Sequence, residues 1–199
     1  MTYAAIFLAS QSPRRAELLR QIGVEFIQQA VDIDETPTVD EAASDYVQRL
    51  AVEKAEAGWH WQLANNSKAP RVAVGSDTSV VLAGDILGKP ADREQGLAML
   101  KRLSGQTHQV MTAVALQYQQ HRLSALSVTQ VTFRKLCDAE LEAYWQTGEP
   151  VDKAGAYAIQ GRAAVFVERI AGSYSGVVGL PLRETHQLLT DMEKIISYE

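Results

Sequence analysis

The chain has 199 residues, 19 of them Lys or Arg and 24 Asp or Glu, for a formal charge of −5, and 46% of residues are hydrophobic. This apolar fraction supports a real core and excludes disorder as the main state. Net acidity without a basic block excludes a broad positive face for nucleic-acid polymers, although a few local cations could still hold a small anion.

Met1 to Ser10 has a short apolar run and no cationic flank, unlike a signal peptide, and no later stretch approaches the ~20 apolar residues of a membrane span. A soluble cytoplasmic protein with no membrane partner is expected. Within that start, Ala4 to Ala9 is of the buried-strand type. Ser12 is a candidate cap, Pro13 suits the first helical position, and Leu18, Leu19 and Ile22 form an apolar stripe before Gly23 stops the helix. A strand, polar loop and helix in this order aim free backbone N–H groups at the loop. Ser10, Ser12, Arg14 and Arg15 there suit a phosphate cradle, because guanidinium groups fork onto phosphate, but an arginine pair in a first turn is more often solvated surface. The pattern is not a P-loop.

A second strand, Val24 to Ile33, leads into Asp34-Glu35-Thr36-Pro37, and Thr38 with Glu41 forms a capping-box pattern opening a helix to about Ala64. Ala43, Val47, Leu50, Ala51 and Gly58 share one face of it, with Lys54 in the middle. One explanation is that Lys54 snorkels to water over the apolar surface. Arg71 to Val74 reads as a strand, Gly75-Ser76-Asp77-Thr78 as a loop, and Ser79 to Leu82 as a further β run. A carboxylate between two β runs needs compensation. Asp77 either caps a turn or, with Glu35, supplies hard oxygen ligands to Mg²⁺.

Gly84-Asp85 is the expected hairpin turn before Ile86-Leu87, and Gly88-Lys89-Pro90 closes that unit. Asp92 caps a helix, Arg93 to Leu103, ended by Gly105. His108 to Tyr118 and Leu123 to Leu136 are expected to pair antiparallel across Gln119-Gln120-His121, and Asp138 to Thr147 is helical up to Gly148. Glu149 to Gly161 reads as a polar, glycine-bearing segment, Val165 to Ile170 as a strand, and Gly172 to Pro181 as a loop before a final helix. Cys137 is the only cysteine, so no intramolecular disulfide can form, and His60, His108, His121 and His186 lack metal-ligand spacing. The fold class expected is α/β with an antiparallel component, one domain over 1–199 in two lobes around a cleft onto which the polar loops converge.

Six motifs then carry a family resemblance. They are Ser10-x-Ser12-Pro13-Arg14-Arg15-x-Glu17-Leu18-Leu19, Ser76-Asp77-Thr78, Gly88-Lys89-Pro90, Leu103-Ser104-Gly105-x-x-His108-x-Val110-x-Thr112, Asp152-Lys153-Ala154-Gly155-Ala156-Tyr157-x-Ile159-Gln160-Gly161 and Gly172-Ser173-Tyr174-x-x-Val177-Val178-Gly179-Leu180-Pro181. In this order the chain resembles the Maf family of nucleoside triphosphate pyrophosphatases, from Ser10 to Pro181. The resemblance implies a mixed, curved sheet with flanking helices, like that of inosine triphosphate pyrophosphatases, with a nucleotide cleft between the lobes. It implies cleavage between the α and β phosphates with a divalent metal, Mg²⁺ or Mn²⁺. Asp77 matches the catalytic aspartate that accepts a proton from water, and Glu35 the acidic residue that joins Asp77 at the metal. Arg15, Lys54 and Lys89 match cations facing the triphosphate, with hydroxyls from Ser10 and Ser12, which gives Lys54 a reason to lie in an apolar stripe.

Arg14, Thr78 and Gln160 match the residues of a subgroup specific for dTTP and UTP, where a subgroup acting on 7-methyl-GTP differs. A glutamine amide can donate to a pyrimidine carbonyl and accept from its ring N3–H. Two departures stand out: Ser76 replaces a usual Ala, and Gly88 a frequent Glu, which implies weaker metal binding if that Glu helps hold the ion. The alternative reading is a nucleotide-binding regulator of cell division and septum formation with incidental turnover. A homodimer is common for this architecture.

Overall fold

Four consecutive apolar residues with no polar face are satisfied only by burial on both sides, and Ile6–Ala9 forms strand β1 with every residue buried. The computed structural model describes residues 4–65 and 71–198. Two compact units divide the chain. The first takes its described residues from Met1–Asp77, Thr112–Ser127 and Gly179–Glu199, the second from Thr78–Met111 and Val128–Val178. The mixed sheet runs β2-β1-β3-β5-β6-β7 with β4 on β3.

In the first unit β1 pairs in parallel with β2 (Phe26–Gln29) and with the start of β3 (Ala73–Leu82). Parallel neighbours require helical crossovers, supplied here by α1 (Pro13–Gln21) and α2 (Ala43–Ala64). Small residues let α2 lie directly on the strands. A Cβ added to Gly58 would stand 2.8 Å from the Ala9 Cβ, so Phe7, Ala9, Ala73 and Trp59 close into one cluster. The unit also holds the end of β5 (Thr107–Tyr118), the start of β6 (His121–Phe133), and α6 (Leu182–Ser197), which buries Thr185, Leu189 and Met192.

The second unit contains β4 (Asp85–Leu87), α3 (Arg93–Leu103), α4 (Asp138–Trp145), β7 (Val167–Ala171) and α5 (Tyr174–Val178). Its core gathers Leu100, Leu103, Phe133, Tyr157 and Phe166. Phe133 meets Tyr157 edge-on at 4.9 Å and His108 at 5.0 Å between ring centres, an arrangement the aromatic quadrupole favours. Asp92 caps α3 as expected, its Oδ1 accepting from the Gln95 amide at 2.9 Å.

Several expectations are corrected. Gly75-Ser76-Asp77-Thr78 is no loop: β3 is continuous, because these residues answer close packing and not a chain reversal. The hairpin turn is Ala83-Gly84, both with positive φ, since Leu82 already pairs with Asp85. Thr38 and Glu41 form a turn ahead of α2 instead of its first turn: the Glu41 carboxylate accepts from the Thr38 amide, and the helix starts at Ala43. Ser12 precedes α1 without a side-chain capping bond. The 149–161 segment is not polar throughout, because Gly155 to Ile159 are buried in the second core. The strand after it begins at Val167, following a short 3₁₀ turn.

His108 is 2% exposed, with Nε2 2.8 Å from the Tyr157 hydroxyl. Burial lowers its pKa to about 4, from an ordinary 6.5. The unfolded chain therefore binds this proton at a higher pH than the folded one. The stability His108 contributes is full above pH 6.5 and is lost as pH falls through about 4. A His108→Gln variant should flatten that stretch of the stability–pH profile by up to about 3 kcal/mol, measured by urea unfolding at stepped pH.

Candidate active site

The site begins where β1 ends. Ser10 is buried, and its Oγ accepts from the Ser12 amide at 3.1 Å and from Arg15 Nη1 at 3.2 Å. Gln28, on β2, donates from Nε2 to the Ser10 carbonyl at 2.9 Å and to that of Ser12 at 3.3 Å, so the neighbouring strand holds the loop in place. Pro13 lacks an N–H, and the next amides of α1, those of Arg14 and Arg15, have no acceptor one turn back within the helix. Arg15 donates through Nε to the Gly179 carbonyl at 2.9 Å. Enclosure lowers its pKa from the ordinary arginine value, and Arg14 adds to that; Asp77 and Glu35 oppose it. Arg14 is half-buried and shifted the same way by burial, against the pull of Glu17.

The second component comes from α2 lying on β3. A Cβ on Gly75 would stand 2.2 Å from the Ala51 carbonyl and 2.5 Å from the Ala55 amide. With no side chain there, the helix backbone rests on the strand, and Lys54 reaches Asp77, which shares the Gly75 face of β3 two residues on. Lys54 Nζ lies 2.7 Å from Asp77 Oδ1 and 2.6 Å from Glu35 Oε1. The lysine side chain is 12% exposed. Lys54 therefore does not snorkel to water, and Asp77 caps no turn; each is compensated by opposite charge. Ser76, on the opposite face, donates to the Ala113 carbonyl at 2.7 Å and also reaches the Gly179 carbonyl at 3.2 Å. Its hydroxyl has a use in this chain, tying β3, β5 and the Gly179 turn together.

Glu35 sits on an exposed segment, yet that segment is anchored from α2. Tyr46 donates to the Glu35 carbonyl at 2.8 Å, and Arg49 Nη2 to the Thr36 carbonyl at 3.1 Å. Arg49 also forks onto both oxygens of Glu41 at 2.7 and 2.8 Å. Hydrogen bonding from Arg49 and the Thr38 amide pulls the Glu41 carboxyl to about 2. Burial, with Asp77 and Glu35 nearby, pushes the Tyr46 hydroxyl up, so it remains a donor. Sequence alone does not single out Tyr46, Arg49 or Gln28, and Gly179 enters there only as part of a motif, with no role. Tyr46 and Arg49 precede Lys54 on the same helix, while the roles of Gln28 and Gly179 depend on pairing across the sheet.

Ser10, Ser12, Arg14, Arg15, Glu35, Lys54 and Asp77 thus fall in the first unit. Thr78, Lys89 and Gln160 fall in the second, with Thr78 half-buried and Lys89 and Gln160 exposed. Lys89 follows Gly88, whose carbonyl accepts from the Gly155 amide at 3.0 Å. Among the described residues no group of three or more His, Cys, Asp or Glu is placed to hold a metal. Glu35 and Asp77 do present carboxylate oxygens to one cationic point, a hard-oxygen pair of the kind Mg²⁺ uses when phosphates and waters complete its shell.

A mixed α/β sheet with guanidinium groups at a helix start, beside two carboxylates sharing an ammonium, defines an α/β protein equipped for an anionic ligand. The chain belongs to the Maf family: the model for Maf-like protein matches residues 5–192. A dTTP/UTP pyrophosphatase of Saccharophagus degradans is 55% identical over 96% of this chain and 90% of its own length. Proteins of the same name from Alkalilimnicola ehrlichii and Escherichia coli O157:H7 are 53% and 51% identical, over 94% and 96% of this chain and 93% and 94% of theirs.

Gly75→Ala should cost about 2–3 kcal/mol in denaturant unfolding, because its new methyl meets helix backbone that no rotamer change can move.

Proposed function

We propose that this protein is a hydrolase that converts dTTP and UTP to the nucleoside monophosphate and pyrophosphate, removing these or modified pyrimidine triphosphates from the nucleotide pool. The observation that carries this reading is Lys54 held between Glu35 and Asp77, a charged cluster beside the arginine-bearing loop. The names of relatives more than half identical support it.

Arg15, with the Ser10 and Ser12 hydroxyls, would bind phosphate oxygens, and Lys54 and Lys89 would offset charge that grows on the leaving pyrophosphate. Water attacks the α phosphorus, the bond from that phosphorus to the bridging oxygen breaks, and pyrophosphate leaves with the bridging oxygen. Asp77 receives the proton of the attacking water. Glu35 and Asp77 would hold a divalent cation, Mg²⁺ or Mn²⁺, which when bound supplies Lewis-acid neutralisation at the phosphates. Arg14, Thr78 and Gln160 would choose the base, the Gln160 amide donating to a ring carbonyl and accepting from N3–H.

Asp77→Asn should keep the fold, since an amide oxygen can still accept from Lys54, while pyrophosphate release falls at least ~100-fold. Near-wild-type turnover in that variant overturns the assignment. A panel of dTTP, UTP, CTP and 7-methyl-GTP, with and without Mg²⁺, should give release fastest on the first two, slower on CTP, and only with the metal. Binding of nucleotide without release would instead support a regulatory role in septum formation.

A further inference from the structure

Gln160 is an exposed side chain in the middle of a segment fixed on both sides by buried Tyr144 and half-buried Glu149, a pair outside the reacting groups. Upstream, the Ala158 amide donates to the Tyr144 hydroxyl at 3.2 Å. That hydroxyl donates to Glu149 Oε1 at 2.7 Å. Downstream, the Arg162 amide donates to Glu149 Oε2 at 2.9 Å and the Ala163 amide to Oε1 at 3.3 Å. The carboxylate lies so close that a Cβ on Gly161 would stand 2.3 Å from Oε2, which accounts for a glycine directly after Gln160.

We propose that Glu149 and Tyr144 are positioning residues for base selection, clamping both ends of the 158–163 segment and so fixing where the Gln160 amide is presented. This rests on the reading of Gln160 as a base-contacting residue. A glutamine has several rotatable bonds and reads a base edge only as closely as its backbone is fixed. Burial alone would raise the Glu149 pKa, but the bonds from the Arg162 amide and the Tyr144 hydroxyl outweigh it and hold the carboxyl below the ordinary range. It is therefore an ionised acceptor at neutral pH, and charge-assisted bonds of this kind are the stronger ones.

The test compares Glu149→Gln, Tyr144→Phe and Gln160→Ala in the full chain, with the Glu149→Gln/Gln160→Ala double variant. Two readouts are taken: amide hydrogen exchange over 158–163 without nucleotide, and the ratio of kcat/KM for dTTP to that for CTP. Glu149→Gln and Tyr144→Phe should speed exchange in this segment and lower the ratio roughly 5- to 20-fold, mainly through KM for dTTP. The double variant should be no less selective than Gln160→Ala alone, because both changes remove one function. Equal losses on every nucleotide would mark Glu149 as merely structural and overturn the proposal, as would unchanged exchange. A ratio lowered by Gln160→Ala and untouched by the other two would overturn the clamp and leave the Gln160 reading standing. An unchanged ratio in Gln160→Ala would remove both.

Discussion

The rest of the first unit depends on how closely α2 approaches β3 at Gly75. With no Cβ in the way, the Ala51 carbonyl and Ala55 amide lie against the strand backbone, and the next position on that helix face, Lys54, meets the next inward position of the strand, Asp77. A helix resting on ordinary side chains would stand farther off, and the ammonium would need water or another partner between it and the carboxylate. Gly58 gives the same closeness over β1, so α2 is seated at two points and its direction is set. The Glu35 segment is then bound to this helix through Tyr46 and Arg49, which brings a second carboxylate to the same ammonium.

The charges in this cluster compensate one another locally. Arg15 and Lys54 stand against Glu35 and Asp77, and Lys54 keeps one carboxylate when the other is removed, Glu35 being the one more open to water. Such a cluster tolerates further negative charge only if more cations accompany it. That requirement agrees with the proposal that a divalent ion and further basic residues accompany the nucleotide. An overall charge of −5 is no obstacle, since local placement and not the total decides the sign at a site.

The elements best read in the sequence were those with an intrinsic local signal. The apolar run Ala4 to Ala9, which forms a strand over Ile6–Ala9, Asp92 before α3, the glycine stop at Gly105 and the end of α2 near Ala64 follow from residue type and spacing alone. Where one composition serves two purposes, reading failed. Gly75-Ser76-Asp77-Thr78 has the composition of a turn, yet glycine there answers a passing helix and serine a pair of distant carbonyls. Glu149 to Gly161 looked polar because charged residues and glycines punctuate it, while its centre, Gly155 to Ile159, fills a core. Local composition does not record what lies across the sheet.

The ordered motifs by themselves pointed to the family and the class of chemistry to look for, and the sequence offered candidates to supply it, Ser10, Arg15, Asp77 and Gln160 within the motifs and Glu35 and Lys54 outside them. Tertiary structure decided which of these share a charge and which residues hold them. It joined Lys54 to two carboxylates 19 positions before it and 23 after it, placed Gln28 under the Ser10 loop, and tied Tyr144 and Glu149 to the backbone on either side of Gln160. The reason is physical: a side chain's type fixes what it can bind, but its partner is chosen by strand register and helix approach, which are settled only when distant segments pack together.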